Sequence, residues 1–140
     1  MKKITGLLLL TPFVLTACVP YPVYKTLQSS ARMTVLGGDG QPVSGAEVVL
    51  IASTYPYGFE RSRSTVTTDA DGVASFASQR EWRVESTMLH GAQVFFWNWC
   101  VRTPGYRTES TSHNDAAQFE SNPVVRLRAG ESTPCPAPTR

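Results

Sequence analysis

Four side chains of the types that hydrolases use lie close together near the end of the chain: Ser110, Ser112, His113 and Asp115. A hydroxyl, an imidazole and a carboxylate make a nucleophilic triad when separate elements converge them. Neighbours in one short stretch rarely reach that geometry, and the sequence holds no Gly-x-Ser-x-Gly elbow. Asp39, Asp69 and Asp71 carry the hard oxygen ligands that calcium takes, but the spacing of a calcium loop is missing and Asp71-Gly72 is itself a turn signal. His90 and His113 are the two histidines, and no metal-ligand spacing joins them. The expectation is a noncatalytic protein with no metal and no diffusible cofactor.

Aromatic side chains offer a different chemistry, stacking on sugar rings or anchoring a protein partner. Trp97 and Trp99 share one face of an apolar stretch with Phe95 and Val101, which assigns them to a core. Tyr55, Tyr57 and Phe59 are separated by Pro56 and Gly58 and read as an exposed loop, so they form the candidate binding surface.

The start of the chain reads as an address. Met1-Lys2-Lys3 is positive, and an apolar run of about eleven residues follows, well short of the roughly 20 that a spanning helix needs. Leu15-Thr16-Ala17-Cys18 then resembles the bacterial lipobox, in which the cysteine is acylated and becomes the new N-terminus. That resemblance implies cleavage of residues 1–17 and a covalent lipid on Cys18, the sole added group expected. Two or three acyl chains hold a protein stably on a bilayer where one is marginal. Val19 stands where Asp commonly marks inner-membrane retention in enteric lipoproteins, so the resemblance implies the outer membrane, facing the periplasm. Residues 18–30, with Pro20, Pro22 and Ser29-Ser30, show no clean period and read as a tether.

Without Lys2 and Lys3 the basic residues fall from 13 to 11 and equal the 11 acidic ones. A neutral module has no basic footprint for phosphates, which argues against a nucleic-acid partner. Cys100 and Cys135 remain once Cys18 is lipidated, and export puts them where disulfides persist. A Cys100 to Cys135 bridge is expected, pinning the proline-rich tail 129–140; a free reactive thiol is the alternative.

Period-two patterning dominates the body. Residues 31–36 alternate and end at Gly37-Gly38-Asp39-Gly40, and residues 47–53 put Val48, Leu50 and Ala52 on one face, so these two strands are expected to pair across a tight connection. Residues 61–68 and 73–76 are expected to form a hairpin about the Asp69-Ala70-Asp71-Gly72 turn, residues 93–102 form a central strand, and residues 124–128 form the last one. Ser78-Gln79-Arg80-Glu81 has the form of a capping box, and Trp82, Glu85, Met88 and Leu89 follow at near-helical spacing. A short helix over residues 79–90 is predicted, against a competing strand around residues 82–88.

Gly40-Gln41-Pro42-Val43-Ser44-Gly45-Ala46, then Thr67-Thr68-Asp69-Ala70-Asp71-Gly72 with Phe76, then Pro104-Gly105-Tyr106, resembles the carboxypeptidase regulatory-like domains. The resemblance covers residues 31–128 and implies a single transthyretin-like (prealbumin-like) β-sandwich of about seven strands that acts as an accessory or scaffold module. Hydroxyisourate hydrolases share that architecture, but their C-terminal Tyr-Arg-Gly-Ser is absent here. The expected protein is a membrane-anchored envelope lipoprotein whose sandwich binds an envelope protein or assists assembly. The alternatives are a glycan-binding module and an accessory lipoprotein of a secretion machine.

Overall fold

A computed structural model of the chain describes residues 20–55, 58–86 and 93–139. Among these residues nine strands follow one another: β1 (Tyr21–Gln28), β2 (Ala31–Leu36), β3 (Glu47–Tyr55), β4 (Phe59–Thr67), β5 (Val73–Phe76), β6 (Gln79–Glu85), β7 (Val94–Arg102), β8 (Glu109–Ser110) and β9 (Val124–Arg126). A 3₁₀ turn at Ala116–Gln118 is the single helical element among the described residues. The chain divides into two compact units, one of residues 26–80 and 93–139 and a smaller one of residues 20–25 and 81–86 among those described.

The larger unit is a β-sandwich. One sheet has the order β5-β2-β9 and the other β4-β3-β7-β8. Alternation along β2 sends Met33 and Val35 inward, and Val48 and Leu50 of β3 meet them with Trp99 and Val101 of β7. Phe76 packs edge-on against Trp99 with ring centroids 5.5 Å apart, and Phe119 stacks on the same indole at 5.5 Å. Trp97 is partly buried against this core, and both indoles satisfy their polar edge: Trp99 Nε1 donates to Glu120 O at 3.0 Å and Trp97 Nε1 to Leu27 O at 2.8 Å. The core assignment holds for Trp99, and Trp97 flanks the core.

Strand β3 is buried on its second face as well. Val49 and Ile51 form an outer cluster with Cys100 and Cys135, which are joined as a disulfide with Cα atoms 5.9 Å apart. The proline-rich tail runs across this face as a strap. Thr108 Oγ1 donates to Thr133 O at 2.6 Å, Arg63 Nη2 donates to Pro136 O at 2.8 Å, and the Glu60 amide donates to Thr139 O at 3.2 Å. Its attachments thus reach from the segment before β8, through β7, to β4.

Four local expectations are corrected. Strands β2 and β3 do not pair; they belong to different sheets. After a single bridge between Leu36 and Pro42, the proline has no amide hydrogen to extend a ladder, and Gly45 at φ 74° redirects the chain across the sandwich. The turn at residues 69–72 is likewise no hairpin, since it carries the chain from β4 in one sheet to β5 in the other. Gly72 is required there: at φ 71° a Cβ would lie 2.5 Å from Val35 O, whose residue donates its own amide to Gly72 O. The helix predicted for residues 79–90 is strand β6 over Gln79–Glu85, and residues 87–90 lie outside the described residues. Pairing with β1 overrides the local helical signals. The same pairing makes Tyr21–Gln28 a strand rather than the expected tether.

Two buried side chains tie the connections down. Thr68 Oγ1 donates to Val43 O at 2.6 Å and accepts from the Ala46 amide at 2.9 Å. Gln28, 1% exposed, donates to Ala77 O at 2.9 Å and accepts from Ser64 Oγ at 2.9 Å, so its burial leaves no amide group orphaned.

The disulfide closes a separation of 35 residues, and constraint of the unfolded chain by such a loop contributes about 3–4 kcal/mol. Replacing both Cys100 and Cys135 by Ser is expected to lower the unfolding free energy by about that amount. Urea titration of the oxidised protein and the double variant measures it.

Candidate functional site

The β3–β7 register places two unlike pairs at its ends. Glu47 stands opposite Arg102 at one end and Tyr55 opposite Val94 at the other. The first pair is ionic and bidentate, with Arg102 Nε donating to Glu47 Oε1 at 2.7 Å and Nη2 to Oε2 at 3.2 Å. The second is apolar and open to solvent, with Tyr55 57% and Val94 50% exposed.

Tyr55, Val94 and Phe96 line a shallow cleft of about 330 Å³ whose other wall is Asn114, Asp115 and Ala116. Asn98, in the middle of the apolar strand β7, sets that wall in place. Asn98 Oδ1 accepts from the His113 amide and from Thr111 Oγ1, while Asn98 Nδ2 donates to His113 O at 3.1 Å. Asp115 then caps the 3₁₀ turn by accepting from the Ala117 amide at 2.9 Å. The Asn114 amide hydrogen donates to Gln118 Oε1 at 3.3 Å. Asn98 was not singled out in the sequence, although a carboxamide amid Phe95, Phe96, Trp97 and Trp99 is the signal of a held polar network.

The aromatics expected to act together are separated. Phe59 pairs with Thr54, and Tyr55 is the next residue along β3, so the two rings point to opposite faces of the sheet. Tyr55 lines the cleft with Val94, Phe59 is 40% exposed away from it, and Tyr57 lies outside the described residues.

The triad types are also divided. Ser110 and His113 border a second cleft of about 340 Å³ floored by Met33, Trp99 and Val101, whereas Asp115 borders the cleft of Tyr55. Asp39 Oδ1 accepts from the Gln41 amide and Asp69 Oδ1 accepts from the amides of Asp71 and Val73, so each carboxylate serves its own turn. Cys18 and His90 lie outside the described residues. Among the described residues no helix is long and apolar enough to cross a membrane.

Comparison against protein-family models, curated proteins and solved structures returns no match to this chain.

The bidentate hydrogen bonds from Arg102, with its positive charge, hold the Glu47 carboxyl below its ordinary range, although burial opposes them. A carboxyl depressed in the folded state contributes stability above its unfolded pKa, and that contribution is lost as pH falls through the folded one. The pair is well exposed, with side chains 41% and 35% accessible, so the effect is small. The urea midpoint of the native protein is expected to fall slightly more between neutral pH and the acid side of the carboxylate range than that of Glu47→Gln. Parallel titrations at both pH values read the difference.

Proposed function

We propose that the protein is a bacterial envelope lipoprotein, acylated at Cys18 and held on a membrane, whose β-sandwich is a noncatalytic module for protein interaction or envelope assembly. The lipobox resemblance of Leu15-Thr16-Ala17-Cys18 supports the anchor, and Val19 favours the periplasmic face of the outer membrane. The motifs around Gly45 and Gly72 support the carboxypeptidase regulatory-like assignment, with a scaffold role as its implication.

One observation carries the binding role. Tyr55 and Val94 are large side chains, half or more exposed, held side by side on rigid strands at the edge of a cleft. Tyrosine supplies contact area at little entropic cost and is enriched where partners dock. A second reading, glycan binding, is favoured by the presence of Asn114 and Asp115 in the lining of the same cleft as Tyr55. A sugar takes that combination of a stacking face and hydrogen-bonding groups.

In-cell crosslinking of the tagged, processed protein separates the two. Capture of one reproducible envelope protein, lost in Tyr55→Ala with the fold intact, is the expected outcome. Retention on a peptidoglycan or polysaccharide matrix, without a protein partner, would select the glycan reading. Globomycin is expected to leave an unprocessed precursor of higher mass, and normal maturation under the drug would remove the anchor.

A further inference from the structure

An exposed set of aromatic and aliphatic side chains lies on the smaller unit. Alternation along β1 and β6 places Pro22, Tyr24, Trp82 and Val84 on one face, and Tyr21, Val23 and Lys25 with Glu81, Arg83 and Glu85 on the other. Contacts agree with both assignments. Tyr24 and Trp82 lie ring to ring with centroids 5.2 Å apart, whereas Lys25 pairs with Glu85 and Arg83 with Glu81.

Much of the surface of this aromatic face is accessible. Trp82 is 72%, Val84 73% and Tyr24 46% exposed. A contiguous exposed set of this kind marks a surface that meets something apolar. Trp and Tyr together are the side chains enriched where a bilayer meets water, since each combines a broad apolar ring with a polar edge.

The chain itself says what the face meets. Three peptide steps separate Cys18 from Tyr21 and six separate it from Tyr24. At about 3.3–3.6 Å per fully extended residue, Tyr24 is kept within roughly 20 Å of the cysteine. The headgroup layer on each side of a bilayer is itself about 5–8 Å deep. A lipid on Cys18 therefore confines the ribbon to the membrane surface, within reach of its exposed aromatic face.

Resting on the proposed acylation, we infer that the Tyr24, Trp82 and Val84 face lies in the interface of the phospholipid bilayer and gives the anchored chain a second hold on it. The acyl chains supply attachment, and the ribbon fixes which side of the small unit meets lipid.

The test uses the full acylated protein, purified from membranes and reconstituted into phosphatidylethanolamine and phosphatidylglycerol vesicles. Tryptophan emission is compared with that of Trp82→Phe, so that the contributions of Trp97 and Trp99 subtract out. With lipids brominated near the top of the acyl chain, the Trp82 component is expected to shift to shorter wavelength and lose roughly half its intensity, as for a ring seated at the acyl boundary. Protein that carries the acyl mass and floats with vesicles, but whose Trp82 stays unquenched, overturns this inference and leaves the anchor standing. Protein that lacks the acyl mass and does not float removes the anchor, and this inference with it.

Discussion

Strand β3 is apolar on both faces, and the rest of the sandwich answers that constraint. Val48 and Leu50 need cover on one side, while Val49 and Ile51 need it on the other. The β5-β2-β9 sheet meets the first need. The C-terminal tail meets the second, lying over the outer face and fixed there through Cys135. A strand buried on both sides cannot be an edge, which is why β3 takes β4 and β7 as neighbours and leaves β2 to the opposite sheet.

The same register then determines the surface. Once β3 and β7 are aligned about Leu50 and Trp99, Glu47 must meet Arg102 and Tyr55 must meet Val94. An ionic pair closes one end, and an aromatic-aliphatic pair is presented at the other. Asn98 converts the middle of β7 into a bracket for residues 111–113, and the chain that follows supplies the polar wall opposite Tyr55. The proposed binding surface is thus a product of core alignment, held by strands rather than by a loose loop.

Much of this was legible before any coordinates. Val48, Leu50 and Ala52 announced a buried face, Phe95 to Val101 announced the strand that crosses the core, and Cys100 with Cys135 announced the strap. Partner choice was not legible, because period two says which way a side chain points and not which strand lies beside it. That is why Gly37 to Gly40 and Asp69 to Gly72 read as hairpins when both precede a crossing between sheets. Ser78, Glu81 and Trp82 satisfied a helical template equally well, and only the presence of β1 as a partner decides for a strand. Strand β1 was masked in turn by Pro20 and Pro22, residues that suit a sheet edge as readily as a tether. At the candidate site, Tyr55 and Phe59 were read as loop residues; both are exposed, but Tyr55 ends β3 and Phe59 begins β4, and their separation follows from pairing that the sequence does not display.

The claim that the Tyr55 end of the sandwich is the working surface is most directly measured by hydrogen exchange on the intact chain. The detergent-purified protein is compared with the same protein in native envelope vesicles. Slowed exchange confined to residues around Tyr55, Val94 to Phe96 and Asn114 to Ala116 within the sandwich is the result this structure predicts. Equal exchange in those residues, with protection arising on another face of the sandwich, would contradict it.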